Sequence, residues 1–137
     1  MGVSGQNADG QPAPEGQSAP DFRLTRARRL TPAQFKEVFA AERSFPGRYV
    51  VMWVRVGRES ARRMGAVASR RAFHTAVARN RARRLMREAF RLNRASLRSD
   101  ADVILVARAR MAHMRAPAVA SDFCDLCHRA GIWSGRN

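Results

Sequence analysis

The stretch Arg79-Asn80-Arg81-Ala82-Arg83-Arg84-Leu85-Met86-Arg87-Glu88-Ala89-Phe90-Arg91 carries two patterns at once. Ala78, Ala82, Leu85, Ala89 and Leu92 recur at intervals of four and three, the spacing of an apolar stripe along an α-helix. Arg79, Arg83, Arg87, Arg91 and Arg94 recur at the same spacing on another side. Like charges so placed repel by a few tenths of a kcal/mol per pair, roughly, so a row of them calls for a polyanion to relieve it. A solvated helix would interleave carboxylates. Between Arg70 and Arg98 there are ten arginines and one acid, Glu88, so the pattern favours a helix that faces nucleic acid.

The rest of the chain agrees. Over 137 residues the formal net charge is +15, which points to a polyanionic partner. Lys36 is the only lysine; the other basic side chains are arginines, whose planar fork binds phosphate bidentately and stacks on bases. Hydrophobic residues make up 45%, enough for one modest core and too little chain for two. No apolar run reaches the length of a membrane span, and the start of the chain lacks a basic segment followed by an apolar one. The expected location is the cytoplasm, with no membrane contact.

Residues 1–21 are mostly Gly, Gln, Pro, Ala and Ser with little to bury, and are expected to form a disordered tail before a single domain over 22–132, with 133–137 a short tail. Thr31-Pro32-Ala33-Gln34 reads as a helix start with a capping box, and the helix should fade near Arg43 before a turn at Pro46-Gly47. Residues 49–56 are β-branched and aromatic, a strand with Tyr49, Val51 and Trp53 on one face. Residues 63–68 should return antiparallel to it, with room for one more strand within 49–68. The arginine helix should run from His74 or Thr75 to about Leu97. The apolar run 102–107 suits a strand buried on both faces. Pro117 should open a last helix burying Val119, Phe123, Leu126, Cys127 and Ala130, capped by Gly131. The class is α+β, one small sheet with helices against it.

The arginine stretch also resembles the signature R-N-x-x-K-R-x-x-R-E of the protein subunit of bacterial ribonuclease P. Residues 30–39, with Phe35 and Phe39 four apart, look like that family's first helix. Residues 65–71 resemble its G-x-x-x-(S/A)-(K/R)-(K/R) strand, and residues 102–107 its fourth strand. The similarity covers the whole folded part; Arg83 departs from it, standing where lysine is usual. The resemblance implies a two-layer α-β-β-β-α-β-α sandwich with a left-handed crossover at the signature helix, a handedness rare among folds. It further implies a subunit of a ribonucleoprotein endonuclease that removes the 5′ leader of precursor tRNA. The catalytic centre would be in the RNA, with Mg²⁺ held there and no cofactor or further protein partner on the chain itself. Carried over, Arg79, Asn80, Arg81, Arg83, Arg84, Arg87 and Arg91 would dock on the RNA subunit. Phe35, Phe39 and Trp53 would line a groove for the single-stranded leader, where stacking holds unpaired bases with little sequence preference. Arg70 and Arg71 would meet the leader's phosphates. Without the resemblance, Phe35, Phe39 and Trp53 also read as core.

Other chemistry finds less support. Cys124-Asp125-Leu126-Cys127-His128 matches the c-type haem attachment pattern, but it lies within an amphipathic helix, and the remaining histidines are too scattered to complete a zinc site. Two ordinary cysteines, one of them in the core, are expected. No carboxylate pair, nucleophile triad or Gly-rich phosphate loop is present, so no catalytic residue is assigned to the chain. The competing reading is a ribosomal-type or other structured-RNA-binding protein with no processing role.

Overall fold

The structure, a computed structural model, describes residues 24–135. The expected tail over 1–21 lies outside the described residues. The elements run α1 (Pro32–Ala40), β1 (Ser44–Pro46), β2 (Val50–Val56), β3 (Met64–Val67), α2 (Ala76–Asn93), β4 (Ala101–Ala107) and α3 (Ala116–Ala130), with 3₁₀ turns at Arg26–Arg28, Arg94–Ser96 and Ala109–His113. This is the α-β-β-β-α-β-α order.

Local signals set the helices. The Thr31 hydroxyl accepts from the Gln34 N–H at 3.3 Å and the Thr31 N–H donates to Gln34 Oε1 at 2.8 Å, which closes the capping box of α1. This helix ends at Ala40 rather than near Arg43, because Glu42 takes a left-handed conformation (φ 57°) that turns the chain into β1. Thr75 caps α2 by accepting from the Ala78 N–H at 3.1 Å. Gly131, at φ 75°, closes α3, its N–H reaching the carbonyls of the last turn.

The sheet corrects two expectations. Its order is β1-β2-β4-β3. β3 does not return antiparallel to β2; it pairs parallel with β4, Met64 opposite Val103 through Val67 opposite Val106. The strand with apolar residues on both faces needs neighbours on both edges, so β4 takes a central position and displaces β3 outward. The additional strand lies upstream of Tyr49. It is β1, where a turn was expected, and Pro46 is tolerated because β1 is an edge strand. β3, α2 and β4 form the parallel crossover to which the resemblance assigns its left-handed path.

The main core lies between one sheet face (Val50, Met52, Val54, Val103, Leu105) and the helices α2 and α3. α3 buries Val119, Phe123, Leu126, Cys127 and Ala130, as its pattern requires. The buried face of α2 is Ala82, Met86, Ala89 and Phe90, rotated from the expected stripe; Leu92 is 48% exposed. Both stripes satisfy the helical period, and the larger Met86 and Phe90 fill the core while Ala78 and Leu85 flank it. α1 and the residue leading into it cover part of the opposite sheet face, where Val38 and Leu30 pack on Ile104 with Phe35, Trp53, Val67 and Val106 around them. Beyond α3, residues 132–135 return against the end of α2: Leu97 bridges Trp133, and the Ser96 carbonyl accepts from the N–H groups of Ser134 and Gly135.

Candidate nucleic-acid interface

The outer face of α2 carries Asn80 and Arg84 exposed, with Arg83, Arg87 and Arg91 half-exposed. Asn80, Arg84, Arg87, Glu88 and Arg91 line an open depression of about 360 Å³, together with Leu24 and Arg29. Arg29 was missed by the sequence reading. The run Arg26-Ala27-Arg28-Arg29 marks it as basic, but only the fold brings it here, through the bridge of Arg29 to Met64 and the Leu30 N–H donating to the Met64 carbonyl at 2.9 Å. Burial, and then the positive charges of Arg29 and Arg83, hold the Arg87 guanidinium below its ordinary value. It stays charged at neutral pH. Crowding of cations in a half-buried site is relieved by an anion placed between them.

Glu88 neutralises one cation of this surface, Arg91, whose Nε and Nη2 donate to the two Glu88 oxygens at 3.2 and 2.6 Å. The hydrogen bond from Arg91 holds the Glu88 carboxyl below the usual carboxylate range, so it is ionised. Arg91 therefore reaches the depression already paired with an acid.

Two of the seven signature candidates point elsewhere. Arg79 Nη1 donates to the Phe73 carbonyl at 2.9 Å. Arg81 spans two carbonyls, Nη1 to Ala112 at 3.1 Å and Nη2 to Met114 at 2.6 Å. The fold thus gathers Asn80, Arg84, Arg87 and Arg91, with Arg83 beside them, and sends Arg79 and Arg81 to loop backbone.

On the other sheet face, Phe35, Phe39 and Trp53 come together. The Phe35 and Phe39 ring centroids lie 6.4 Å apart, and Phe39 meets Trp53 edge-on at 5.1 Å. Phe39 is 37% exposed, while Phe35 and Trp53 are half-buried. Phe35 lies over Gly65 of β3, whose missing side chain leaves room for the ring. The half-buried Val51, Val67 and Val106 continue this face as one cross-strand row. Three residues past Val67, Arg70 and Arg71 stand exposed in a turn held by Ser69, whose hydroxyl accepts from the Ala72 N–H at 3.1 Å. A face that groups three aromatic rings with β-branched side chains, and has two cations beyond the end of its edge strand, suits an extended polyanion with unstacked rings.

In the haem-like motif, Cys127 packs in the core and burial pushes its thiol up, so it is a poor thiolate at neutral pH. The Cys124 thiol donates to Asn93 Oδ1 at 3.5 Å. Among the described residues no helix is long and apolar enough to cross a membrane.

Comparison with known proteins identifies the family. The family model for ribonuclease P matches residues 24–131. The ribonuclease P protein component of Azotobacter vinelandii is 36% identical over 103 residues, spanning 74% of this chain and 78% of that protein. Among solved structures, the ribonuclease P protein of Staphylococcus aureus superimposes with a TM-score of 0.68 at 23% identity, over 79% of this chain and 99% of that one. The protein from Thermotoga maritima gives 0.65 at 24% identity, over 74% and 96%. The structural likeness speaks for the fold, and the sequence matches speak for descent: the chain belongs to the ribonuclease P protein family.

Proposed function

We propose that the chain works through two surfaces on opposite sides of its sheet, one docking on ribonuclease P RNA and one holding the 5′ leader of precursor tRNA. Family membership makes it the protein component of an endoribonuclease complex that processes tRNA, with ribonuclease P RNA as its partner. The docking surface is the outer face of α2: Asn80, Arg83, Arg84 and Arg87, joined by Arg29 and by the paired Arg91. The leader surface is the cleft of Phe35, Phe39 and Trp53, with Arg70 and Arg71 meeting phosphates beyond it. Hydrolysis belongs to the RNA, with Mg²⁺ held there; the protein's part is to neutralise phosphate charge and retain the substrate. The cytoplasm, where tRNA is matured, is the corresponding location.

The observation that carries this reading is the aromatic cleft. A protein that only packs on structured RNA has use for the basic helix but none for half-buried aromatics at the open face of its sheet. The deciding experiment mixes the purified protein with ribonuclease P RNA and precursor tRNA at low Mg²⁺. Accurate 5′ processing that neither component gives alone is expected; binding without stimulation would leave the chain a structured-RNA-binding protein.

The cleft has its own test. Phe39→Ala or Trp53→Ala removes a stacking platform worth about 1–3 kcal/mol per base, so affinity for leader-bearing precursor should fall about tenfold while affinity for mature tRNA holds. Equal losses on both substrates would mean that these rings serve the core alone.

A further inference from the structure

We propose that Arg79 and Arg81, although they stand in the basic signature of α2, are positioning residues that brace the loops at one end of the sheet. In particular, Arg79 sets the place of Arg70 and Arg71. The inference rests on the reading of the leader cleft given above and assigns part of its specificity to a residue outside it.

The topology supplies the first part of the argument. Because β3 and β4 are parallel and their last pair is Val67 with Val106, the segments that follow them leave the sheet at the same end. One is the turn 68–75 carrying Arg70 and Arg71; the other is the 3₁₀ segment Ala109–His113 with its flanks. Each sends one fully buried side chain into the core, Phe73 at 2% exposure and Met111 at 0%, with Ala72, Ala112 and Met114 packing at its edge. Apolar packing of this kind fixes a loop's position but leaves its backbone free to pivot about the buried side chain.

The first two turns of α2 supply what stops the pivot. Arg79 donates to the carbonyl of Phe73, the plug residue itself, at 2.9 Å. Arg81 places two donors of one guanidinium on the carbonyls of Ala112 and Met114, across the end of the 3₁₀ turn. A planar fork with fixed donor geometry suits this task, since two bonds from one rigid group define an orientation that a point donor cannot. Within the turn carrying Arg70 and Arg71, Ser69 accepts from the Ala72 N–H through its hydroxyl and from the Phe73 N–H through its carbonyl. Releasing the Phe73 carbonyl therefore spreads the positions of the two cations that follow Ser69, and cations with spread positions hold a phosphate path less tightly.

Arg79→Met keeps the aliphatic stem and removes every donor, and its behaviour separates bracing from direct contact. The wild-type protein should bind ribonuclease P RNA with log affinity falling against log salt at a slope near −4 to −5, for about five or six neutralised phosphates. Arg79→Met should leave that slope and affinity unchanged, and lower the preference for precursor over mature tRNA by about three- to tenfold, the scale of one or two phosphate contacts. Arg84→Met should do the reverse, flattening the slope by about one. In an Arg70→Ala/Arg71→Ala background, Arg79→Met should cost no further preference, because the groups it positions are gone. A slope flattened by about one in Arg79→Met with its preference intact would overturn the inference, as would a full additional loss in the Arg70→Ala/Arg71→Ala background. If Arg79→Met melts at a much lower temperature, Arg79→Lys carries the test: a charge kept at that place preserves a phosphate contact and its slope but braces the loop less well, so preference falls. Unchanged preference in Arg79→Lys would count against bracing. A wild type with no preference for precursor would overturn the reading of the cleft itself, before any variant is made.

Discussion

Asp102→Ala is expected to destabilise the fold by about 3–5 kcal/mol, the cost of stripping one partner from a buried ion pair. Asp102 lies in the central strand and is fully buried. Its Oδ1 accepts from the N–H groups of Ala61 at 3.0 Å and Arg63 at 2.9 Å, and from Arg63 Nε at 3.2 Å. Its Oδ2 accepts from Arg63 Nη2 at 2.8 Å and Arg55 Nη2 at 3.3 Å. Arg55 in turn reaches Glu37 of α1 at 2.7 Å, so one carboxylate ties the β2–β3 connection and α1 to the centre of the sheet. Removing it strips this counter-charge from the largely buried Arg63, leaves Arg55 with Glu37, and leaves two backbone donors unsatisfied. Asp102→Asn should fall between, since its amide oxygen still accepts from the two N–H groups while its NH₂ faces guanidinium donors.

The same residue gives a pH dependence. Burial by itself would raise the Asp102 carboxyl; the hydrogen bond from Arg63 and those from the Ala61 and Arg63 N–H groups outweigh it and hold the group below its ordinary value of 3.8. A folded value below the unfolded one means that the unfolded state takes up the proton first. The contribution is therefore complete above the ordinary carboxylate value and is lost as pH falls through the depressed one. Urea denaturation at neutral pH should show the full gap between wild type and Asp102→Ala, and a pH series below about 4 should show that gap closing. A gap constant with pH would mean that the charge on Asp102 contributes nothing.

What the sequence disclosed follows from how local each signal is. The capping box at Thr31, Thr75 before α2, Pro117 and Gly131 around α3 act within a few residues, and all appear where the chain places them. β1 was illegible because three residues ending in Pro, with one half-buried side chain between two exposed ones, carry no strand pattern; it exists only because β2 offers it an edge. The parallel pairing of β3 depends on β4, some 40 positions downstream, for which the residues of β3 hold no mark. The arginines show the same limit. Charge and period identify α2 as a basic helix, but they cannot tell that Arg79 and Arg81 turn to loop carbonyls, the latter 31 and 33 positions away, or that Arg29 comes to rest beside Arg87. Resemblance to a family supplied the grouping of Phe35, Phe39 and Trp53, which periodicity alone left indistinguishable from core.

Gly65 is where fold and cleft depend on each other most directly, and Gly65→Val is expected to cost about 2–3 kcal/mol, an overpacking penalty at the upper end of the usual range. A Cβ on Gly65 would stand 2.6 and 2.8 Å from Cε1 and Cε2 of Phe35, and closer still to Cζ. Nothing in the backbone conformation of Gly65 demands glycine; the demand comes from the ring above it. Relief comes only if Phe35 swings out, which removes its ring from the place 6.4 Å from Phe39 and fills the cleft with a displaced side chain. Binding of leader-bearing precursor should therefore fall along with stability. Gly65→Ala sharpens the point through its sign. In a strand, alanine should by itself be favoured over glycine by about 0.5–1 kcal/mol, because glycine loses more backbone freedom on folding. In the wild-type background the clash should reverse that preference, and Gly65→Ala should destabilise. In a Phe35→Ala background the clash is gone, and the same substitution should become stabilising. Denaturant melts of the four proteins close the cycle. If Gly65→Ala destabilises equally in both backgrounds, its cost arises from the strand and not from the aromatic ring, and the cleft is not set by this contact.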